Sequence, residues 1–366
     1  MRMADYDSLR EKYQEFRVPQ VAVYVKNQKI DLTAYHLASA TVDATAENEA
    51  AGVCELLFTG IYDLKNSCVD TKLLGALEVN QTLEVRMGYG TPVCVFYGKI
   101  DGVDIDFSFG ESGPTLRVTG IDAKGLLMKA REDESKNLES TKEVVESILK
   151  QCKTDGAAKS VRVGNLLKFE TPLRQEKTSD FDFLCEVARL TNANFFVSCG
   201  EVHFEDVLSK VDKCITLKWG KSLMRFSQSV DLSRQVSKVV VTGAKKEETE
   251  PVKGEATKVT MAGSGKLAAD SYQKVKPEQE VENALATTEA IAKAIAEAEL
   301  NHIAMHFVTC TGTCIGLPDI EVGKWMAVEG LSEYVDSTYF IYKVRHIFDE
   351  NGYLTEFTLK GARTPK

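Results

Sequence analysis

The sequence predicts an α+β fold, predominantly β, in which two β-rich regions flank a small α+β unit and a long Ala-rich helix sits in the C-terminal part. Three observations predict it. Apolar residues alternate with period two from Pro19 to about Asp122; capped amphipathic helices and a hairpin follow between Ser140 and Phe204; strand pattern returns from Cys214 to Lys360. At 366 residues the chain exceeds the roughly 250 at which single cores stop growing, which points to two or three domains.

In the first region, Val21 to Val25, Gly52 to Phe58, Thr82 to Met87 and Val93 to Ile100 read as strands. They are separated by the turn signals Asn27-Gln28, Gly88-Tyr89-Gly90 and Ser112-Gly113-Pro114, and Tyr62 to Leu77 leaves room for a short helix. The charged stretch Lys129 to Asn137 reads as a connection. Ser140-Thr141-Lys142-Glu143 is a capping box, opening a helix whose buried stripe is Val144, Val145, Ile148 and Leu149. A second helix follows Thr178-Ser179-Asp180, with Phe181, Leu184, Cys185, Ala188 and Leu190 on one face and Asn192 near its end. Phe195-Phe196-Val197, the Cys199-Gly200 turn and Val202-His203-Phe204 form a hairpin.

Strand pattern resumes at Cys214 to Trp219 and Gln235 to Gly243. Residues 245–280 are polar, small and without period, so a mobile loop is expected there. Pro277 then precedes an Ala-rich helix over 278–304, amphipathic through Val281, Leu285, Ile291, Ile295 and Ala298. From Met305 to Lys360 the pattern is strands and turns, punctuated by Asp319, Gly323, Gly330 and Asn351-Gly352. The expected domains are therefore 1–128, β-rich; 129–212, α+β; and 213–366, β-rich, carrying the loop and the helix.

Hydrophobic residues make up 43% and charged residues 27%, an ordinary globular composition. The formal net charge of −9 argues against a nucleic-acid-binding surface, which needs a basic face to release counterions from phosphates. It leaves room for a conduit whose acidic lining repels DNA. Met1 to Gln20 carry charges and no apolar run, unlike a secretory signal, and no apolar stretch approaches the ~20 residues needed to cross a bilayer. Nine cysteines, at Cys54, Cys68, Cys94, Cys152, Cys185, Cys199, Cys214, Cys310 and Cys314, mostly lie in apolar runs and read as buried, reduced thiols of a cytoplasmic product.

His302, His306, Cys310 and Cys314, at intervals of four, are residue types that suit zinc. A helix end followed by a strand lacks the tight knuckle spacing of structural zinc sites, so no metal residue is assigned. Glu132-Asp133-Glu134, Glu247-Glu248 and the alternating Asp101 to Asp106 could supply a carboxylate pair for glycoside cleavage, yet each reads better as a solvated face. Phe107, Phe109, Phe195, Phe196 and Phe204 alternate within strands as core residues do, without the basic partners of a base-stacking platform. No nucleophile elbow, Walker loop, dinucleotide fingerprint or His-Glu-x-x-His motif occurs, so no catalytic or cofactor-binding residue and no cofactor is expected.

The order of elements resembles the late control protein D family of contractile-tail phages, the hub family that also forms the front part of type VI secretion VgrG proteins. Thr178-Ser179-Asp180-Phe181-Asp182-Phe183-Leu184, Ala188-Arg189-Leu190 and the Phe195 to Phe204 hairpin carry the resemblance. It is supported by Met87-Gly88-Tyr89-Gly90 with Val95 to Ile100, Gly120-Ile121-Asp122 before Leu126-Leu127-Met128, and Tyr342-Lys343-Val344-Arg345-His346 leading to Gly352 to Phe357. The resemblance implies two tube-type β-barrels, from Pro19 to Asp122 and from Cys214 to Lys360, in a non-enzymatic baseplate hub of a phage or headless, tailocin-like particle. It implies a homotrimer whose six barrels match a hexameric tail tube above and, by true threefold symmetry, a separate trimeric spike protein below. Baseplate wedge and tape-measure proteins are the other partners implied, with the 250–277 excursion a candidate contact. No specific nucleic-acid binding and no membrane insertion are implied; the location is a tail baseplate assembled in the bacterial cytoplasm. A tail-associated peptidoglycan hydrolase and a distal tail-tube protein are the competing readings.

Overall fold

The computed structural model describes residues 6–30, 35–108, 113–129, 140–171, 173, 175, 178–243, 251–273 and 276–365. A helix, α1 (Tyr6–Lys12), leads into β1 (Pro19–Val25) and β2 (Gln28–Lys29), then into the hairpin of β3 (His36–Thr45) and β4 (Val53–Thr59). A ribbon of β5 (Tyr62–Asp63) and β6 (Cys68–Val69) precedes α2 (Thr71–Ala76), which starts where the Asp70 carboxylate accepts the amides of Lys72 and Leu73. The region closes with β7 (Thr82–Tyr89), β8 (Val93–Asp106) and β9 (Thr115–Ile121). In β4 and β9 every second residue is buried, as with Cys54, Leu56 and Phe58 of β4, which is the alternation visible in the sequence.

The middle unit contains α3 (Ala123–Leu127), α4 (Thr141–Thr154), β10 (Ser160–Val163), α5 (Asp180–Leu190), β11 (Asn194–Ser198) and β12 (Glu201–Glu205). Both long helices begin where expected: the Ser140 hydroxyl accepts the Glu143 amide at 3.3 Å and the Ser179 hydroxyl the Asp182 amide at 3.0 Å. The β11–β12 turn places Cys199 and Gly200 at φ 44° and 83°, the left-handed pair that a two-residue hairpin needs. The charged stretch 130–139, with Glu132-Asp133-Glu134, lies outside the described residues, as do Phe109 and Glu247-Glu248.

The remainder is β13 (Lys213–Lys218), β14 (Leu223–Val230), β15 (Lys238–Thr242), β16 (Lys253–Ala256), β17 (Lys266–Leu267), β18 (Glu278–Glu282), α6 (Glu289–Ala304), β19 (Val308–Ile315), β20 (Trp325–Glu329), β21 (Ser337–Asp349), β22 (Gly352–Gly361) and β23 (Arg363–Thr364). Two expectations are corrected here. The described part of the 245–280 segment is not a loop throughout, because β16 pairs with β15 and Gly254 packs against the backbone of α6 where no side chain would fit. The Ala-rich helix does not start at residue 278. Residues 278–282 form β18, parallel to β15, and the helix begins after Thr288, whose hydroxyl accepts the Ile291 amide at 3.3 Å. Over the five residues Glu278-Gln279-Glu280-Val281-Glu282, a period of two and a helical period place Val281 on an inner face equally well.

One 13-stranded sheet joins the two β-rich regions, in the order β14-β19-β22-β21-β3-β4-β9-β8-β7-β1-β2, with β20 and β13 attached through β21. This sheet contains a repeat. Numbering β1, β3, β4, β7, β8, β9 by chain order gives the spatial order 2-3-6-5-4-1, and β13, β14, β19, β20, β21, β22 give the same order. The bulges repeat as well. Register shifts fall between Leu37 and Ser39 in β3 and between Leu223 and Arg225 in β14; they fall between Ile100 and Gly102 in β8 and between Ile341 and Lys343 in β21. A single rung shows the match: Asp104, Arg117, Leu57 and Ser39 pair across the first set as Arg345, Glu356, Thr313 and Arg225 do across the second. The sets differ at one link, antiparallel for β1·β7 and parallel for β13·β20.

One core runs beneath both strand sets and includes Val42, Leu56, Val118, Cys310, Phe340 and Val344. A second core belongs to the middle unit, and residues of β15, β16 and α6 join it: Leu184, Phe204, Val239, Ala256 and Ile295 pack together. The helix expected with the C-terminal β region therefore packs on the middle unit, because its apolar stripe meets α5, where Arg189 also pairs with Glu299 at 2.9 Å.

Candidate functional site

The surface that the repeat builds is an eight-strand wall, β14-β19-β22-β21-β3-β4-β9-β8, one face of which covers the core. Its other face carries the alternate residues: Thr309, Thr311 and Thr313 of β19, Glu356 and Thr358 of β22, Lys343 and Arg345 of β21, Asp43 of β3, Glu55 of β4, Arg117 of β9. Several charges on this face are matched in place. Arg345 stands opposite both Glu356 and Asp43, with its Nε 3.8 Å from the Asp43 carboxylate; Arg117 lies 3.6 Å from Glu55, and Lys343 2.5 Å from Glu47. Partial burial raises Asp43 while Arg345 opposes the shift. A groove of about 550 Å³ follows the β19-β22-β21-β3 part of this face.

Each end of the wall is an exposed strand edge. Among the described strands β14 pairs only with β19, and Met224 and Val230 on it are 56% and 48% exposed. Among the described strands the second half of β8, from Gly102 to Asp106, pairs with β9 alone, since β7 pairs with β8 only as far as Lys99. Asp104, Ile105 and Asp106 are exposed there. The Asp101 to Asp106 run thus lies on an edge strand, not in a cleft. Inside the chain the corresponding edges are joined: the second half of β21 pairs with β3 from Lys343↔Thr45 to Phe348↔Ala40.

The four candidate zinc residues do not converge. Cys310 and Cys314 point into the core from β19 and burial pushes their thiols up, to about 12 for Cys310. His302 and His306 pack edge to face at the end of α6, and the Lys360 ammonium lies 3.2 Å from His306 Nδ1. Burial, and then Lys360, push His306 down to about 4. Among the described residues no three His, Cys, Asp or Glu side chains come together in a metal-binding arrangement.

A cavity of about 720 Å³ lies between the β11–β12 hairpin and the loop Pro318 to Lys324. Its carboxylates are largely paired. Glu201 meets Arg162 at 3.2 Å, Glu205 meets His203 Nδ1 at 2.9 Å, and Asp212 meets Lys324 at 2.6 Å; His203 stacks on Phe196 with ring centroids 4.6 Å apart. Glu321 is raised by burial. Phe195, Phe196 and Phe204 are buried as core residues.

Five of the expected buried thiols are buried: Cys54, Cys152, Cys185, Cys310 and Cys314. Cys68 is exposed and Cys214 partly so. Cys94 and Cys199 form a disulfide at the cavity's edge, which corrects the expectation of reduced thiols throughout. They are 105 residues apart, and only the docking of the hairpin on β8 brings their Cα atoms to 5.9 Å. Nothing in their spacing could have shown this.

Sequence reasoning also missed Lys124, which is fully buried where the middle unit joins the wall. Its ammonium donates to the carbonyls of Glu47 at 2.6 Å and Phe195 at 2.9 Å, and lies over the Phe195 ring at 4.9 Å. Asp122, also buried, accepts the amides of Gly52 and Lys124 at 2.7 and 2.9 Å. Burial pushes Asp122 up and Lys124 down, and each opposes the other's shift. Among the described residues no helix is long and apolar enough to cross a membrane.

A family model described as the Alg8 N-terminal domain matches residues 77–350. No curated protein sequence matches the chain. Solved structures share its fold at low identity. The 43 kDa tail protein of prophage MuSo2 from Shewanella oneidensis aligns with a TM-score of 0.68 at 14% identity, covering 93% of this chain and 98% of that one. The tail protein of Neisseria meningitidis aligns with a TM-score of 0.66 at 16% identity, covering 94% and 97%. A component of the type VI secretion system of Escherichia coli, itself described as similar to bacteriophage T4 tail proteins, aligns at 0.56 with 10% identity, covering 92% and 76%. The fold is that of phage tail proteins and of the VgrG-type components of type VI secretion.

Proposed function

We propose that this chain, which belongs to the Alg8 N-terminal domain family, is the structural hub of a contractile-tail baseplate or phage-like injection particle and works as a homotrimer. The observation that carries this reading is the duplicated strand set with its ends left open. Each copy supplies two equivalent wall segments, joined internally at β21·β3. The same junction made between copies pairs the second half of β8 with β14 of the next chain. Three chains then give six segments, a ring that meets a hexameric tail tube on one side and a trimeric spike, supplied as a separate protein, on the other. Wedge and tape-measure proteins complete the partner set. The threonine-rich, charge-matched wall face suits a conduit lining, since it offers no basic track to hold nucleic acid. No catalytic role is assigned to any residue.

The repeat also gives a register. Arg345 pairs with Asp43, which lies four residues beyond Ser39; Asp104 is the equivalent of Arg345, and Arg225 of Ser39. Asp104 of one copy should therefore face Ser229 of the next, four residues beyond Arg225. In a Cys68→Ser background, Asp104→Cys with Ser229→Cys should cross-link under mild oxidation into a ladder that ends at three chains, three times the 40.4 kDa mass. A ladder that runs past three, or a concentrated sample that yields no intermolecular link, overturns the ring.

A further inference from the structure

The Cys94–Cys199 bond fastens the start of β8 to the β11–β12 turn, and a cation stands beside it. The Lys159 ammonium lies 3.8 Å from the Cys94 sulfur and 3.9 Å from that of Cys199. It is fixed there by Glu84 at 3.0 Å and by the Tyr97 ring at 4.4 Å. Glu84 is shared with Arg86 at 2.5 Å, so the local cluster keeps a net positive charge. Both cysteines are only partly buried and both line the 720 Å³ cavity, so a small molecule can reach the sulfurs. The five core cysteines are buried and offer no such access.

We propose that Cys94, Cys199 and Lys159 form a reversible thiol–disulfide exchange site whose reactant is a low-molecular-weight thiol of the glutathione class. The thiolate of one such molecule attacks either sulfur; the S–S bond breaks and the electron pair leaves on the other cysteine as a thiolate, which the Lys159 ammonium stabilises. A second small thiolate attacks the mixed disulfide, releases the second cysteine thiolate and departs as the oxidised small-molecule disulfide. Two electrons pass from two small thiols to the pair, and the thiolates take up protons from water. Closure reverses these steps, with the oxidised small-molecule disulfide as oxidant. Both neighbours of the bond fit a joint that opens without unfolding. Asn48 pairs with the Ala193 carbonyl and the Phe195 amide, and Lys124 with the Phe195 carbonyl, so the middle unit stays docked when the bond is open. What is freed is the hairpin turn, where Gly200 lies against the Tyr97 ring.

The full-length chain, folded and at neutral pH, is equilibrated in mixtures of reduced and oxidised glutathione, quenched in acid, and alkylated for peptide mass spectrometry. Cys94 and Cys199 should pass together from bonded to free across the series, while Cys54 and Cys314 stay protected. The bonded form should melt about 5 °C above the open form, because the bond closes a long loop, and Cys94→Ser should abolish that difference. Lys159→Met should slow reduction about tenfold, the loss expected when a leaving thiolate loses a nearby cation, and Lys159→Arg should restore the native rate. Three results would overturn the proposal: cysteines that remain free in excess oxidised glutathione, a bond that yields only when the chain unfolds, or a Lys159→Met variant that is reduced as fast as the native chain. None of these readouts depends on the oligomeric state, so they fail or succeed apart from the ring.

Discussion

Replacing Lys124 by methionine removes the fully buried ammonium that holds the middle unit to the wall, while keeping a stem of similar length and apolar character. The ammonium makes two charged-donor hydrogen bonds, to the Glu47 and Phe195 carbonyls. At about 1.5–3 kcal/mol each they are worth roughly 3–6 kcal/mol in gross terms. Against this, methionine carries no desolvation cost, and that cost is large enough here to lower Lys124 to about 8. Two carbonyls remain buried without their donor and the Asp122 carboxylate loses the charge opposite it, so the net loss should be about 2–4 kcal/mol. Urea unfolding followed by circular dichroism measures it as a lower midpoint. The pH dependence supplies a second signature. A lowered folded pKa means that the unfolded chain binds this proton more tightly, so the Lys124 contribution to stability should rise as pH climbs from about 8 towards the ordinary 10.5, against the opposite slope of the buried thiols, which keep their protons longer in the folded chain. Lys124→Met should lack that rise. Adding Asp122→Asn should cost less than the two single losses summed, because the removed groups oppose each other's burial. A single variant within about 1 kcal/mol of native would refute the claim that this lysine fastens the two parts.

Three further outcomes follow from other positions. Gly98→Ala drives a Cβ into the Ile121 carbonyl across the β8–β9 pair and should cost at least ~3 kcal/mol, whereas Gly102→Ala, whose nearest neighbour is the Thr119 side chain at 3.9 Å, should be mild; thermal melts of both compare them. His306 and His346 are held down by burial, to about 4 and about 3, so the unfolded chain takes up their protons first and native stability should fall as pH drops from about 6.5 towards 4. Urea midpoints taken across that range check the slope, and His306→Gln should flatten part of it. Val344→Asp places an unpaired carboxylate in the core under the β21·β3 junction, where Val344 is 1% exposed, and should lower the melting temperature far more than Lys343→Ala on the opposite face.

Strands were legible wherever one face met the core and the other met solvent, because Cys54, Leu56 and Phe58 or Val308, Cys310 and Cys314 keep a period of two over a full strand. The starts of α4 and α5 were legible from Ser140 and Ser179, since a cap is a local interaction within three residues. The 278–282 strand was not. Its five residues are too few to separate two periods, and its pairing with β15 is forty residues distant. Nor could composition show that the two β regions share one sheet, because the β21·β3 contact joins residues some three hundred apart whose alternation only says that each lies in a strand. The site was legible to the same extent. The alternation of Asp101 to Asp106 reads as a solvated face, but its place at a strand edge depends on where β7 stops pairing.

The two strand sets differ most in a single connection. From β3 to β4 the chain crosses in residues 46–52, while from β14 to β19 it takes residues 231–307 and builds β15, β16, β18 and α6 on the way. Yet Val230 and Val308 face each other in the ladder, so this long excursion leaves and returns at the spacing of an ordinary hairpin. Chain added at such a point imposes little strain on the sheet and only a slowly growing closure entropy. The repeated strand order therefore tolerates an added lobe in one half without a change in the ladder beneath it. In the proposed ring, two neighbouring segments would match when viewed along the bore, while only every second one would carry the lobe at the rim.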